Sequence, residues 1–239
     1  MNQAPFALWV YLSSQPLLWL VVTLFAWLAA DRVALLAGRN PIVNPVLLAI
    51  LLVALVLEIT RTPYGVYFEG AQFVHFLLGA ATVSIAVPLV RNRAVVRANL
   101  VPLLAALIVG SIVAIVSVIA LGQMFGLPHE MLVAMAPKSV TAPVAMGISE
   151  KLGGEPSLTA VLVILTGVLG AVIVTPLMNA LRIRDYAARG FAVGLASHGI
   201  GTARAFVVDP LAGTFAGIAM GLNAILTSIL TPILVHWLL

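Results

Sequence analysis

The sequence has 239 residues, of which 62% are hydrophobic and 8% charged, where a soluble domain averages roughly 25% charged. That excludes a soluble enzyme and predicts an all-α, polytopic transmembrane helical bundle forming one membrane domain over 1–239. The net charge of +4 is what juxtamembrane loops carry and does not argue for a nucleic-acid partner, and the lack of cysteine excludes disulfides and thiolate metal sites.

Charge-free runs at 1–30, 40–57, 70–90, 98–129, 156–181 and 210–239 are mostly at or beyond the ~20 residues that cross a bilayer. With the interrupted regions added, they predict about eight membrane segments. Residues 1–30 lack the basic leading segment of a signal peptide and are read as a retained first helix, 16–30, preceded by an interfacial stretch with Trp9 and Tyr11. A second helix over 45–60 follows Asn44-Pro45, with Asn44 as its cap and proline just inside the start. The alternative makes Asn44 and Pro45 a second helix break.

The aromatic run Tyr64-Gly65-Val66-Tyr67-Phe68 predicts an interfacial turn. The third helix, 70–90, holds His75, read as a packed or hydrogen-bonded residue. Arg91, Arg93 and Arg97 form a basic loop before a fourth helix, 98–122. A fifth region, 127–152, ends at the turn Gly153-Gly154-Glu155-Pro156, where Ser157 is a candidate cap for a sixth helix, 157–181. Arg182, Arg184 and Arg189 form a second basic loop ahead of a seventh segment, and Asp209-Pro210 opens the last helix, 211–238.

Gly79 and Pro88 recur as Gly167 and Pro176, with a few apolar identities at the same offset. This predicts an inverted-topology repeat, with halves about 40–122 and 130–205 flanked by 1–30 and 211–238. Both basic loops should face the cytoplasm, which requires an even number of crossings between them. A re-entrant fifth region satisfies that rule and a spanning one violates it. The reading adopted is the inverted repeat with a short, proline-broken span.

Chemistry concentrates in two polar clusters within apolar surroundings. The first is Pro137-Lys138-Ser139-Val140-Thr141-Ala142-Pro143, whose prolines prevent one unbroken helix. The freed backbone groups must be satisfied by protein or a water-lined cavity. The second is Ser197-His198-Gly199-Ile200-Gly201-Thr202-Ala203-Arg204, in which Gly199 and Gly201 allow a bend or close approach. An ionisable residue within a membrane segment is a functional hypothesis by default, since it costs ~2.5–3.5 kcal/mol at helix centre even on the lenient insertion scale. The bland readings are that Lys138 snorkels, Arg204 ends a helix, and Ser197 and Thr202 bond their own helix.

Thr141 before Pro143 reads as the start of a half-helix over 142–152, whose first amides and positive dipole end favour an anion. A small organic acid bound by Lys138, Ser139, Thr141, Ser197, His198, Gly199, Gly201, Thr202 and Arg204 is the occupant these residues suit, with His198 able to carry a proton. There is no HExxH and no phosphate loop, and adjacent Ser197-His198 is not a nucleophile-base pair. Neither an enzyme nor a cofactor is expected.

The stretch from Ala136 to Met146, then Gly153-Gly154, Leu158-Thr159-Ala160-Val161, Thr166-Gly167, Ala187-Ala188-Arg189-Gly190 and Ser197 to Ala205, resembles the LrgB/CidB family. The likeness is dense from about 130 to 225. It implies a multi-pass protein of the bacterial plasma (inner) membrane, with two descriptions. Bacterial members are described as holin- or antiholin-like regulators of murein hydrolase export and lysis, often with a small LrgA/CidA-type membrane partner. The plant plastid relative is a glycolate/glycerate translocator, and other members are linked to pyruvate or similar acids. A homo-oligomer is left open. Ala142 stands where many members carry a second Thr, leaving one hydroxyl fewer at that helix start.

Overall fold

The structure is a computed structural model describing residues 15–40, 42–84, 90, 91 and 93–239; among these the chain is helical, with no strand. It divides into two units, Met1–Ser84 and Ile85–Leu239.

The first unit contains α1 (Pro16–Leu36), α2 (Pro45–Thr60) and α3 (Tyr64–Ser84), with α1 packed on both others. Gly70 lets α3 meet α1 backbone to backbone, since a methyl there would overlap the Pro16 carbonyl. Beside it Trp19 is wholly buried and meets the Tyr67 ring edge-on at 6.2 Å. The aromatic run is thus the first turn of α3 and not a separate interfacial turn. Helix α1 also continues past Asp31-Arg32, because Arg39 turns back to pair with Asp31 at 2.7 Å. Asn44 caps α2, accepting from Val46 N at 2.9 Å and Leu47 N at 3.3 Å with Pro45 at the first position. The reading of Asn44-Pro45 as an interruption is therefore corrected: the pair begins an ordinary helix. Trp9, Tyr11, Pro41 and Pro88, and the side chain of His75, lie outside the described residues.

The second unit contains α4 (Arg93–Ala98), α5 (Leu100–Met124), α6 (His129–Met135), α7 (Ala142–Lys151), α8 (Pro156–Ala180), α9 (Tyr186–Val208) and α10 (Pro210–Leu238). Among these, α5, α8 and α10, with 25, 25 and 29 residues, are long and apolar enough to cross a bilayer. At 1.5 Å per residue each exceeds the ~30 Å hydrocarbon core. Their outward faces are aliphatic at four-residue spacing, as in the exposed Val161, Leu165, Leu169, Ile173 and Leu177 of α8. The inward face of α8 is small, with Thr159, Val163, Gly167 and Ala171 buried. Small inward residues are what close helix packing in lipid requires, because lipid supplies no hydrophobic drive between helices. Helix α8 starts at Pro156 with Glu155 as its cap residue, so Ser157 is not the cap.

Helix α9 is long and apolar enough to span, yet it folds back. Ser197 (φ −129°, ψ 15°) and His198 (φ 39°, ψ −134°) leave helical geometry, and Val193 and Ala205 share one buried cluster with Ala212 and Ala216. A straight helix would hold Val193 and Ala205 ~18 Å apart. The arm Tyr186–Ala196 therefore enters the membrane and 199–208 returns to the same face. The entering arm runs parallel to α10: Gly190 lies on Ala212 and Gly194 on Ala216, so closely that a methyl at either glycine would overlap a carbonyl of α10. Gly194→Ala is expected to lower stability by about 1–3 kcal/mol through this overlap, measured as the melting temperature of purified protein in detergent.

Helices α6 and α7 form a second re-entrant hairpin. A methyl on Gly154, just after α7, would meet the Val133 side chain at 2.9 Å and Ala134 N at 3.0 Å, so the end of α7 returns to the level of α6. This corrects the expected spanning fifth region: 128–152 enters and leaves by one face. The two hairpins enter from opposite faces. Val133 and Ala136 cluster with Val235 near the end of α10, whereas Phe191 and Leu195 cluster with Phe215 and Ala219 near its start.

Both basic loops consequently lie on one face, separated by the two crossings of α5 and α8, as the charge rule demands. We call this the basic face. Within this unit α5 followed by α6–α7 and α8 followed by α9 are each a 25-residue helix and then a hairpin, running in opposite directions; these are not the expected halves 40–122 and 130–205.

Candidate functional site

The hairpin tips, residues 136–141 and 195–198, meet at two residues. One is Asn223, halfway along α10 and 1% exposed. Its Nδ2 donates to Ser139 O at 3.3 Å and to Leu195 O at 3.0 Å, one carbonyl from each tip. Carbonyls only accept, so the carboxamide orientation is fixed. Oδ1 faces the hydroxyls of Ser111 on α5, 2.7 Å away, and Thr227 on α10, 3.0 Å away. The other is Val163 of α8. Its side chain packs with Val140, Ala145 and Ile148 of the first hairpin, and its carbonyl accepts from His198 Nε2 at 3.0 Å in the second.

The sequence-predicted residues fall into three groups. At the first tip, Pro137 and Pro143 bracket the non-helical stretch. Ser139 is buried, and Lys138 is half-buried with no ion pair among the described residues. Thr141 precedes α7 as expected but makes no capping bond with its side chain. Because Pro143 has no N–H and nothing caps the helix, the amides of Ala142 and Val144 are unpartnered among the described residues.

At the second tip His198 is buried in the left-handed region, which a side chain adopts at a cost of about 1–3 kcal/mol. The surroundings hold it there. Its carbonyl accepts from the Thr202 hydroxyl at 2.7 Å, and its ring lies over Gly167, where a methyl would meet Cε1 at 2.8 Å. Ser197 is received by Gly170, whose missing side chain makes the room. Gly201 is also required: a methyl there would meet Ser197 Cβ at 2.6 Å and Val193 O at 3.0 Å, pushing the hairpin arms apart. Gly199 has no such constraint, since its nearest neighbour is Met220 Sδ at 3.8 Å.

Arg204 stands apart from the tips. It lines a shallow pocket with Tyr186, Arg189 and Gly190, on the basic-face side of the hairpin. The expected grouping of Arg204 with Lys138 is thus not what the fold makes.

Sequence reading missed Asn223, Val163 and Gly170. Asn223, Thr227 and Thr231 recur every four residues inside an apolar helix. That polar stripe was the available signal for a buried face.

The electrostatics follow from chain direction. Helices α6 and the entering arm of α9 end at the midplane, whereas α7 and the returning arm of α9 begin there. Two positive dipole ends and Lys138 therefore converge. A carbonyl from each tip, where the negative ends lie, is taken up by Asn223. The described carboxylates of this unit, Glu130, Glu150, Glu155, Asp185 and Asp209, all lie at helix ends.

Comparison with known proteins gives the family. The family model described as "LrgB-like family" matches residues 23–237. The chain is 35% identical to the Bacillus subtilis protein YxaC over 198 residues, covering 83% of this chain and 86% of the relative. It is 32% identical to the Staphylococcus aureus "Holin-like protein CidB" over 221 residues, covering 92% and 96%. It is 34% identical to B. subtilis YwbG over 221 residues, covering 92% and 97%. No solved structure matches. With three spanning helices and two opposed hairpins in its second unit, this is a multi-pass membrane protein, and it belongs to the LrgB-like family.

Proposed function

We propose that the chain is a carrier for small monocarboxylates such as glycolate, glycerate or pyruvate, working by alternating access in the bacterial inner membrane with the basic face cytoplasmic. The observation that carries this reading is the pairing of unpartnered α7 amides with Lys138 at the tip of a re-entrant hairpin, opposite a second hairpin entering from the other face. Irregular backbone at membrane depth is tolerated where it lines a site, and half-helix amide ends suit carboxylates. Lys138 supplies charge, Ser139 and Thr141 supply hydroxyl donors, Thr202 steadies the second tip through its bond to His198 O, and His198 has a second ring nitrogen able to take a proton; transport is proton- or sodium-coupled. Arg204 acts nearer the cytoplasmic mouth.

The test is uptake of radiolabelled acids into liposomes containing the purified protein. Saturable uptake that distinguishes D- from L-glycerate supports a carrier, whereas no uptake of any of the three acids removes it.

A second reading is favoured by the name of one relative, "Holin-like protein CidB". In it the chain is a holin- or antiholin-like pore, or the regulator of one, working as an oligomer or with a small CidA/LrgA-type membrane protein. Release of a trapped, unrelated dye from the same liposomes would favour it. A lesion built from assembled helices has no use for a half-buried lysine at the tip of a re-entrant hairpin, so the carrier is preferred.

A further inference from the structure

A cavity of about 620 Å³ opens between α5 and the entering arm of α9. Asn99 and Asp185 stand at its basic-face end, Phe191 and Phe215 line its wall, and Gly110 and Leu195 lie deepest. Leu195 rests in the notch left by Gly110, where a methyl would meet its Cδ1 at 2.9 Å. The cavity therefore ends on the residue whose carbonyl Asn223 holds.

We propose that Asn223 is a two-sided latch closing the site, that this cavity is the vestibule on the basic face, and that the tip of α9 is the gate between them. The carboxamide has two protons, and each holds the tip of one hairpin. Its oxygen is fixed by hydroxyls on α5 and α10, so the group stays in place when a tip moves. Withdrawal of the α9 tip breaks the bond to Leu195 and joins the vestibule to the midplane. The bond to Ser139 meanwhile keeps the first hairpin closed on the opposite face. Withdrawal of the first hairpin does the reverse. The donor set free each time has lost its carbonyl, and a carboxylate oxygen is a matching acceptor for it. The consequence for transport rests on the carrier reading, whereas the latch itself can be tested without any substrate.

The chain has no cysteine, so single introduced thiols report unambiguously. Ser139→Cys protein in liposomes of defined orientation is treated with a membrane-impermeant maleimide from the basic face and, separately, from the opposite face. With Asn223 intact the thiol should react slowly from both. Asn223→Ala should raise the rate at least tenfold from one or both faces. A rise below tenfold from both, in protein that keeps its elution volume and melting temperature, would overturn the latch. Should Asn223→Ala fail to fold, Asn223→Leu keeps the size but removes both donors, and the same two outcomes decide. If wild-type protein moves none of the acids, the carrier reading falls and the labelling rates still judge the latch.

Discussion

Lys138→Ala protein is expected to reconstitute normally and to lose saturable acid uptake, by tenfold or more, while its melting temperature stays level or rises. The two halves of that result come from one cause. An ammonium group at helix centre costs ~2.5–3.5 kcal/mol even on the lenient insertion scale, and Lys138 is half-buried on a tip that reaches the middle of α10, with no ion pair among the described residues. Structure alone gains little from keeping it. If the lysine instead held the fold together, alanine would lower the melting temperature, and loss of uptake would follow from unfolding. Lys138→Arg separates charge from shape, because it keeps the cation while replacing a compact ammonium with a planar fork. Partial uptake with a raised KM is expected there. Normal transport by the alanine protein would remove Lys138 from the site.

How far the site was legible in the sequence depended on what each residue announces locally. Pro137 and Pro143 announce a break because their chemistry is local: one ring fixes φ and removes a donor, whatever surrounds it. Thr141 as the start of a half-helix was legible for the same reason, and α7 begins at Ala142. The second break carries no proline. Ser197-His198 could be marked as polar in an apolar run, but its reversal depends on Gly167 and Gly170 of a different helix. Periodicity within α9 does not contain that information. The turning back of 128–152 was open in the sequence because a proline-broken segment can span or return. The two basic loops already favoured an even number of crossings, and the fold agrees with them over the spanning reading. The stripe of Asn223, Thr227 and Thr231 marks a buried face of α10 without saying what that face meets. The importance of Asn223 comes from two carbonyls 84 and 28 residues away.

His198 allows the turn of the second hairpin to be tested against ordinary helix behaviour. In a helix, glycine is less stable than alanine by about 0.5–1 kcal/mol, since it loses more backbone freedom on folding. At position 198 the order should invert. With φ at 39° any Cβ is strained, and the side chain offsets that strain in the native protein through the ring's bond to Val163 O and its packing over Gly167. His198→Ala keeps the strain, loses the bond and leaves a cavity, and is expected to cost about 3 kcal/mol. His198→Gly loses the same contacts but relieves the backbone, so it should cost about 1 kcal/mol less. Melting temperatures of both variants in one detergent would decide the order. A glycine protein less stable than the alanine protein would mean that residues 197–198 are helical in the membrane. The return of α9, and with it the opposed hairpins on which the midplane site is built, would then be wrong.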